Sequence, residues 1–539
     1  MSGSFPWGAS LPWVLALCAS ALMARWVGLG PGATGALLVA GLGVGSAVGV
    51  PIGWRALREA RHRRPRRLTM RGLARGVQRH PERVLLGEGA PWQARQTQAL
   101  HQALCRPGSQ AGGSSLLSHA GALGPLYLDA QEARVHTLVV GAPGTGKTQL
   151  FKLLALQAIA RGEAVILLDP KGGPALRHSL ARAAARADRP YFQLLPAEPE
   201  HSDALDLLAN GRQASEIASR LSRLIPADES DNAFGQFAWM TLHRIIEGLL
   251  AVRAPVTLKA LRFHGADQGR TLHARLPSPV ACQGLADLVA HDPAHYRKMI
   301  LALTPVLETL TAGALGALLS PPHEAGERVL PADRPRVHLA QIIRQGGVLY
   351  AGLGALSDEA LARALGGLLL ADLAAVAGDR YRDAGVTVPV RLFVDEAAEI
   401  TNPAFVQLLN KGRECGLVVT FAVQTLADLE VAMGGAGPAR MMVGNAGHLI
   451  AFRTLDPESR KVWSERAGSA WICATSASVG AQQAQGRLGA QHGLSAGRHR
   501  QQQEAPLIPE ALLAQLPDLH FVGLLAGQRT VVGRLPLVA

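Results

Sequence analysis

The sequence predicts an α/β protein: a parallel-rich sheet with helices on both faces, interrupted by an all-helical segment and preceded by a two-helix membrane hairpin. Three observations carry that expectation. Short apolar runs alternate with helix-length segments from about residue 135 onward, which is the pattern of strands joined by crossover helices. One such run opens directly into a glycine-rich loop ending in Lys147-Thr148. The first 54 residues hold two long apolar stretches.

Composition narrows the class first. A chain of 539 residues with 48% hydrophobic and 18% charged residues has a core large enough for several domains, which excludes wholesale disorder and a small disulfide-stapled fold. Its five cysteines (Cys18, Cys105, Cys282, Cys415 and Cys473) lie far apart with no C-x-x-C pair, arguing against a disulfide framework or a zinc site. The net charge of +13 is concentrated: residues 55–79 hold ten arginines against Glu59 alone, leaving +4 for the remaining 514 residues.

Leu11 to Leu29 is apolar except for Arg25, and Ala33 to Trp54 carries no charge. At ~1.5 Å per residue each run is long enough to cross a ~30 Å hydrocarbon layer. The connection at Gly28 to Gly32 allows only a tight hairpin with both ends on one side. The arginines that follow place that side in the cytoplasm, and Trp7, Trp13, Trp26 and Trp54 cluster near the span ends, where amphipathic rings prefer the interface. A cleavable signal peptide would need positive charge before the apolar run, and residues 1–10 have none. Gly41, Gly45 and Gly49 permit close helix approach, either to the first span or to another copy. Topology and attraction to anionic membrane lipids both account for the arginine block; nucleic-acid phosphates are the other partner open to it.

After a Gly/Ser-containing linker, roughly Leu86 to Gly124, Val135 to Val140 reads as a buried strand and Gln149 to Ile159 as a helix, joined by Gly141-Ala142-Pro143-Gly144-Thr145-Gly146-Lys147-Thr148. This is G-x-x-x-x-G-K-[ST] in its strand-loop-helix setting. Glycines let successive backbone N–H groups converge on phosphate oxygens at a helix N-terminus. Lys147 is suited to the β/γ-phosphates of ATP and the Thr148 hydroxyl to Mg2+. Hydrolysis also needs a metal-orienting acid and a base for the attacking water. Asp395 and Glu396, directly after the strand-like Val390 to Val394, supply that pair, Asp395 toward Mg2+ and Glu396 toward water.

Ala164 to Leu168, Gly347 to Leu353, Leu417 to Val423 and His448 to Phe452 complete the strand-like runs, with Thr530 to Leu535 near the C-terminus. Ligands of such sheets bind at the strand carboxyl ends. Gln424 lies at one of them, where its amide is either a γ-phosphate sensor or a strand-end residue. Asp169-Pro-Lys-Gly-Gly173 ends another, as a turn or with Asp169 or Lys171 facing the site. Between about Ser202 and Ala332 helical patterns replace strands, in Ala214 to Leu224, Ala233 to Val252 and Tyr296 to Leu319. Phe237 and Trp239 there read as core. Ser476 to Gln503, rich in Gly, Ala, Ser and Gln with Arg487, Arg498 and Arg500, reads as a mobile loop, an exposed linker or a DNA-facing element. The expected organisation is a hairpin (1–54), a basic juxtamembrane segment and linker (55–130), a nucleotide-binding domain in two parts (131–201 and 333–539) and a helical insertion (202–332).

The motif set resembles the coupling proteins of type IV secretion and conjugation, most nearly the TraD type of integrative conjugative elements. The resemblance rests on Gly141 to Thr148, Asp169-Pro-Lys-Gly, Phe393-Val-Asp-Glu396 before Asn410-Lys-Gly-Arg-Glu-Cys-Gly416, and Val418 to Leu429 before Phe452-Arg-Thr-Leu-Asp-Pro-Glu-Ser459. It implies a RecA-like P-loop ATPase, hexameric when active, anchored in the bacterial inner membrane by two passes with its N-terminus and ATPase domain in the cytoplasm. It implies delivery of relaxase-bound single-stranded DNA from a relaxosome to secretion-channel proteins. By the same resemblance Arg413 matches an arginine that enters the neighbouring subunit's ATP site, and Gln424 matches a site glutamine. Two departures stand out: Gly173 replaces an acid that many relatives carry, and the chain stops at Ala539 where some carry a long acidic tail. A secretion adaptor that recruits protein effectors and a segregation-type translocase of duplex DNA are the rival functions.

Overall fold

Val139, Val165, Leu167, Leu392, Val394, Val419 and Phe421 have no exposed surface. Strands this apolar on both faces belong in the middle of a sheet covered by helices above and below. The computed structural model describes residues 66–105, 115–211, 213–225, 232–278, 282–323, 336–382, 388–486 and 489–539. The expected membrane hairpin, its glycines and the arginines up to position 64 lie outside the described residues. Arg67–Ala539 forms one compact unit.

Numbered in chain order, the central sheet comprises β1 (Val84–Pro91), β2 (Gly124–Leu128), β3 (Thr137–Val140), β4 (Ala164–Asp169), β5 (Tyr191–Leu194), β6 (Val348–Gly352), β7 (Val390–Val394), β8 (Leu417–Val423), β9 (His448–Ala451), β10 (His520–Leu525) and β11 (Arg529–Arg534). Their spatial order is β2-β1-β11-β10-β9-β3-β8-β7-β4-β6-β5. Every pairing from β9 to β5 is parallel, and β10, β11, β1 and β2 extend the sheet antiparallel. The α/β expectation therefore holds, as a large mixed sheet.

Register sets the carboxyl ends level. Val140 pairs with Val423, and Val394 with both Phe421 and Leu168, so the segments after β3, β8, β7 and β4 emerge along one edge. The chain from 86 to 124, expected as a linker, instead carries most of β1, the helices Ala94–Leu104 and Ser115–His119, and the first residue of β2. Its strand signal is weak because Gly87, Gly89 and Pro91 interrupt it; Gly87 (φ 148°) and Gly89 are required because an added Cβ would stand 2.3 Å and 2.5 Å from carbonyl oxygens of β11.

Between β5 and β6 the chain leaves the sheet and returns through the parallel pair Ala204–Leu205 and Arg336–Val337. Its described part consists of helices, including Ala214–Ser222, Asn232–Ala251 and Leu258–Ala266. Phe237 and Trp239 pack half-buried against the core, and the Trp239 indole N–H donates to Ser219 at 2.9 Å. The helix expected over 296–319 is instead three short ones, Pro293–Met299, Thr304–Thr311 and Gly313–Leu319. Pro305 begins the second, and Gly313 (φ 51°) breaks the join to the third. Among the described residues one helix, Glu359–Arg382, is long and apolar enough to cross a membrane by length and composition; Leu365, Leu368, Leu370 and Leu373 on it are buried in the protein core.

The stretch from Ser476 to Gln503 has strand rather than loop structure at its described residues, 476–486 and 489–503. It lies within an antiparallel ribbon, Ser469–Gly486 paired with Gly489–Pro506 from Ser469 opposite Pro506 to Gly486 opposite Gly489. A ladder of this kind is closed by backbone groups and needs no apolar side-chain pattern, which is why composition concealed it. Ala470, Ile472 and Ala505 are buried at its base.

Candidate nucleotide site

The loop 141–148 is built by its glycines. Gly144 and Gly146 adopt φ of 76° and 129°, and a Cβ on Gly141 would stand 2.7 Å from Phe452 Cβ and 2.9 Å from Thr145 Oγ1. The loop turns into the helix Lys147–Ala160, directing the first free N–H groups of that helix toward the loop's concavity. It is pinned by neighbouring strands: Gly141 N–H donates to Val423 O at 3.3 Å, Ala142 N–H to Arg453 O at 2.8 Å, and Leu519 N–H to Thr145 O at 2.8 Å. Thr145 Oγ1 donates to Ala142 O at 2.7 Å, so Thr145 braces the turn from within. Pro143 and Gly144 lie at its open crest, both exposed.

Asp395 and Glu396 follow β7 immediately. Asp395 N–H donates to Leu168 O at 3.0 Å, and Thr148 Oγ1 donates to Asp395 Oδ2 at 3.3 Å. Burial and the charges of Glu396 and Asp169, opposed by Lys147, push the Asp395 carboxyl up to about 6. A carboxylate this desolvated beside a hydroxyl is an oxygen pair of the kind a hard divalent cation takes. Glu396 has left-handed backbone angles (φ 41°, ψ 54°), a conformation costing a non-glycine residue on the order of 1–3 kcal/mol and found where function fixes it.

Two ammonium groups converge on Glu396. Lys171 Nζ donates to its Oε1 at 2.7 Å, and Lys147 Nζ lies 3.7 Å from the same oxygen. Lys147 also donates to Gly141 O at 2.6 Å. Burial lowers the Lys147 pKa against the pull of Glu396 and Asp395. Burial acts the same way on Lys171, but the bond to Glu396 and its charge outweigh it, leaving that pKa raised. Asp169 does not face this cluster with free oxygens: it accepts N–H bonds from Lys171 (3.0 Å) and Gly173 (2.9 Å) and the Tyr350 hydroxyl bond (2.7 Å). Its part is the turn, and the turn presents Lys171.

Gln424 follows β8 directly and is half-buried, at the same sheet edge as the loop. Arg413 is elsewhere. It sits in the short turn Gly412–Cys415 before β8, exposed, at the amino ends of the strands. There its charge, second to burial, lowers the pKa of His136 to about 4, and it adds to the lowering at His448. The structure thus gathers Gly141 to Thr148, Asp395, Glu396 and Gln424 at one end of the sheet and puts Arg413 at the other. Arg453, which lies in the Phe452 to Ser459 motif and donates to Asp518 at 2.8 Å, and Leu519, which no motif marked, both border the loop through backbone bonds available to any residue.

Residues 120–300 match the family model described as the type IV secretion-system coupling protein DNA-binding domain. Residues 389–518 match the model described as the TraM recognition site of TraD and TraG. No curated protein sequence matches the chain. Among solved structures, the bacterial conjugative coupling protein TrwBdeltaN70, unbound, is 17% identical over 84% of this chain and 93% of its own, with a TM-score of 0.52, and shares the fold. The plasmid coupling protein TrwB in complex with ADP and Mg2+ is 16% identical over 84% and 94%, with a TM-score of 0.49. VirB4 of Thermoanaerobacter pseudethanolicus is 13% identical over 74% and 88%, with a TM-score of 0.42.

Proposed function

The chain is a conjugation coupling protein of the TraD/TraG type, and from that premise we propose that it is a membrane-anchored ATPase delivering relaxase-bound single-stranded DNA to a type IV secretion channel. The observation that carries the reading is the convergence of Lys147, Thr148, Asp395 and Glu396 on one sheet edge. The loop N–H groups and Lys147 are suited to the phosphates of ATP, with Lys147 exchanging its Gly141 carbonyl for a phosphate oxygen. Thr148 and Asp395 would hold Mg2+, which when bound offsets charge on the phosphate oxygens. Glu396 takes a proton from the attacking water. Gln424, one strand over, is suited to sense the terminal phosphate.

Arg413 cannot serve its own loop from the far end of the strands. It is suited to the site of a neighbouring copy, where a guanidinium stabilises charge on the transferred phosphoryl and makes hydrolysis depend on assembly into a ring, a hexamer by family resemblance. The RecA-like character, the two-pass inner-membrane anchor with the ATPase unit in the cytoplasm, contact with anionic lipids and docking to relaxosome and channel proteins belong to the same proposal. The helical insertion and the 469–506 ribbon are its recognition elements.

Purified full-length protein tests this through its ATPase rate with single-stranded, duplex or no DNA. Stimulation by single strands, weakening steeply with salt, supports the proposal. Preference for duplex favours a segregation translocase. A rate indifferent to DNA, together with binding of a secreted protein, favours an effector adaptor.

A further inference from the structure

Glu396 has a second cation beside it that the nucleotide loop does not supply. Lys171 Nζ bonds Oε1 at 2.7 Å, a full 1.0 Å closer than Lys147 at 3.7 Å. The Glu396 side chain is 7% exposed and that of Lys171 is 43% exposed, so the lysine reaches inward from the rim. Its backbone is held from below: Asp169 accepts the N–H groups of Lys171 and Gly173, and Tyr350, which has no exposed surface, holds Asp169 in turn.

We propose that Lys171 is a positioning residue for hydrolysis, gripping Oε1 of Glu396 so that the carboxylate keeps its aim when Lys147 turns to phosphate. This rests on the ATPase reading above. Lys147 has two calls on its ammonium, Gly141 O and Glu396 Oε1, and phosphate would draw it from both. Glu396 would then face Asp395 and Glu399, carboxylates whose pKa values it already helps to raise. Like charge would drive the side chain outward from its left-handed backbone. Lys171 opposes that, and because both lysines address Oε1, the other oxygen is left for water.

The test uses the full-length protein in six forms: wild type, Lys171→Met, Lys171→Arg, Lys147→Ala, Glu396→Gln and the double variant K171M/E396Q. Loss of aim should cost Lys171→Met about 10- to 100-fold in kcat, with KM for ATP and binding of a fluorescent ATP analogue within about twofold. Lys171→Arg, which keeps the charge and a donor, should recover most of the loss. The double variant should be no slower than Glu396→Gln, since residues acting as a unit are non-additive. Wild-type kcat in Lys171→Met, or a double variant clearly slower than Glu396→Gln, would overturn the assignment. A wild type that hydrolyses ATP no faster than Lys147→Ala would overturn the ATPase reading itself, and the role of Lys171 with it.

Discussion

Thr148 Oγ1 lies 3.3 Å from Asp395 Oδ2 across 247 residues of sequence. The nucleotide loop and the acid strand meet here because β3 and β7 flank β8 in parallel register. The pair supplies two oxygens to one position, so removing one weakens a cation held there without dismantling the loop. Thr148→Ala should raise the Mg2+ concentration for half-maximal ATP hydrolysis on the order of tenfold, in line with the loss of one partner at a metal site. A Mg2+ titration of the ATPase rate checks it.

Gly141 has no room for a side chain. A Cβ would stand 2.7 Å from Phe452 Cβ and 2.9 Å from Thr145 Oγ1, and Phe452 is fully buried against Phe521 at a 6.1 Å centroid distance. Gly141→Ala should cost about 1–3 kcal/mol of stability through overpacking against Phe452, whereas Gly144→Ala, whose Cβ would meet nothing within 4 Å but whose φ is 76°, should cost about 1–2 kcal/mol through backbone strain alone, and both should lower ATP affinity by distorting the loop. Thermal melts and nucleotide titrations of the two variants separate the effects.

Arg413 is exposed at the amino ends of the strands. Arg413→Ala should leave ATP binding within about twofold but lower kcat by about a thousandfold, the scale of an arginine acting on the transferred phosphoryl. Mixing it with Glu396→Gln protein should restore activity at interfaces where an intact Glu396 meets an intact Arg413. Rates of the mixture that simply average the two components would contradict a role across subunits.

Asp372 joins the helical insertion to the helix Glu359–Arg382. It is fully buried, accepts from Arg220 Nη1 at 2.9 Å and from Asn210 Nδ2 at 2.9 Å, and burial outweighs both partners to push its carboxyl from 3.8 up to about 7. Between those values the folded chain binds a proton that the unfolded chain lacks. Its stabilising contribution is therefore fully present below about pH 4 and is lost as pH rises through 7. The wild-type melting temperature should fall more from pH 5.5 to 8 than that of Asp372→Asn. Asp372→Ala should cost about 3–5 kcal/mol by stranding Arg220.

Most of the parallel half of the sheet was legible because its strands, buried on both faces, read as unbroken apolar runs: Leu417 to Val423 and Val390 to Val394 match β8 and β7 residue for residue, whereas the edge strand β5 (Tyr191–Leu194), half-buried over its first three residues, gave no such run. Of the antiparallel half only β11 was, as the strand-like Thr530 to Leu535; β1, β2 and β10 were not. The glycine-broken strand β1 pairs with residues more than 400 positions later, and no local pattern announces such a contact. The 469–506 ribbon was hidden for a related reason, since its long ladder joins small and amide residues. At the site, the loop and the acid pair stood out as motifs, whereas the grip of Lys171 on Glu396 spans 225 residues and exists only once β4 and β7 lie side by side.

The central claim is that Lys147 and Glu396 act together on ATP in a motor that DNA engages. Its most direct measurement is the ATPase rate of the full-length protein with and without single-stranded DNA, alongside Lys147→Ala and Glu396→Gln. The account predicts a DNA-stimulated rate in the wild type, its loss in both variants by about 10² or more, and retained ATP binding in Glu396→Gln. Equal rates in wild type and both variants would contradict it.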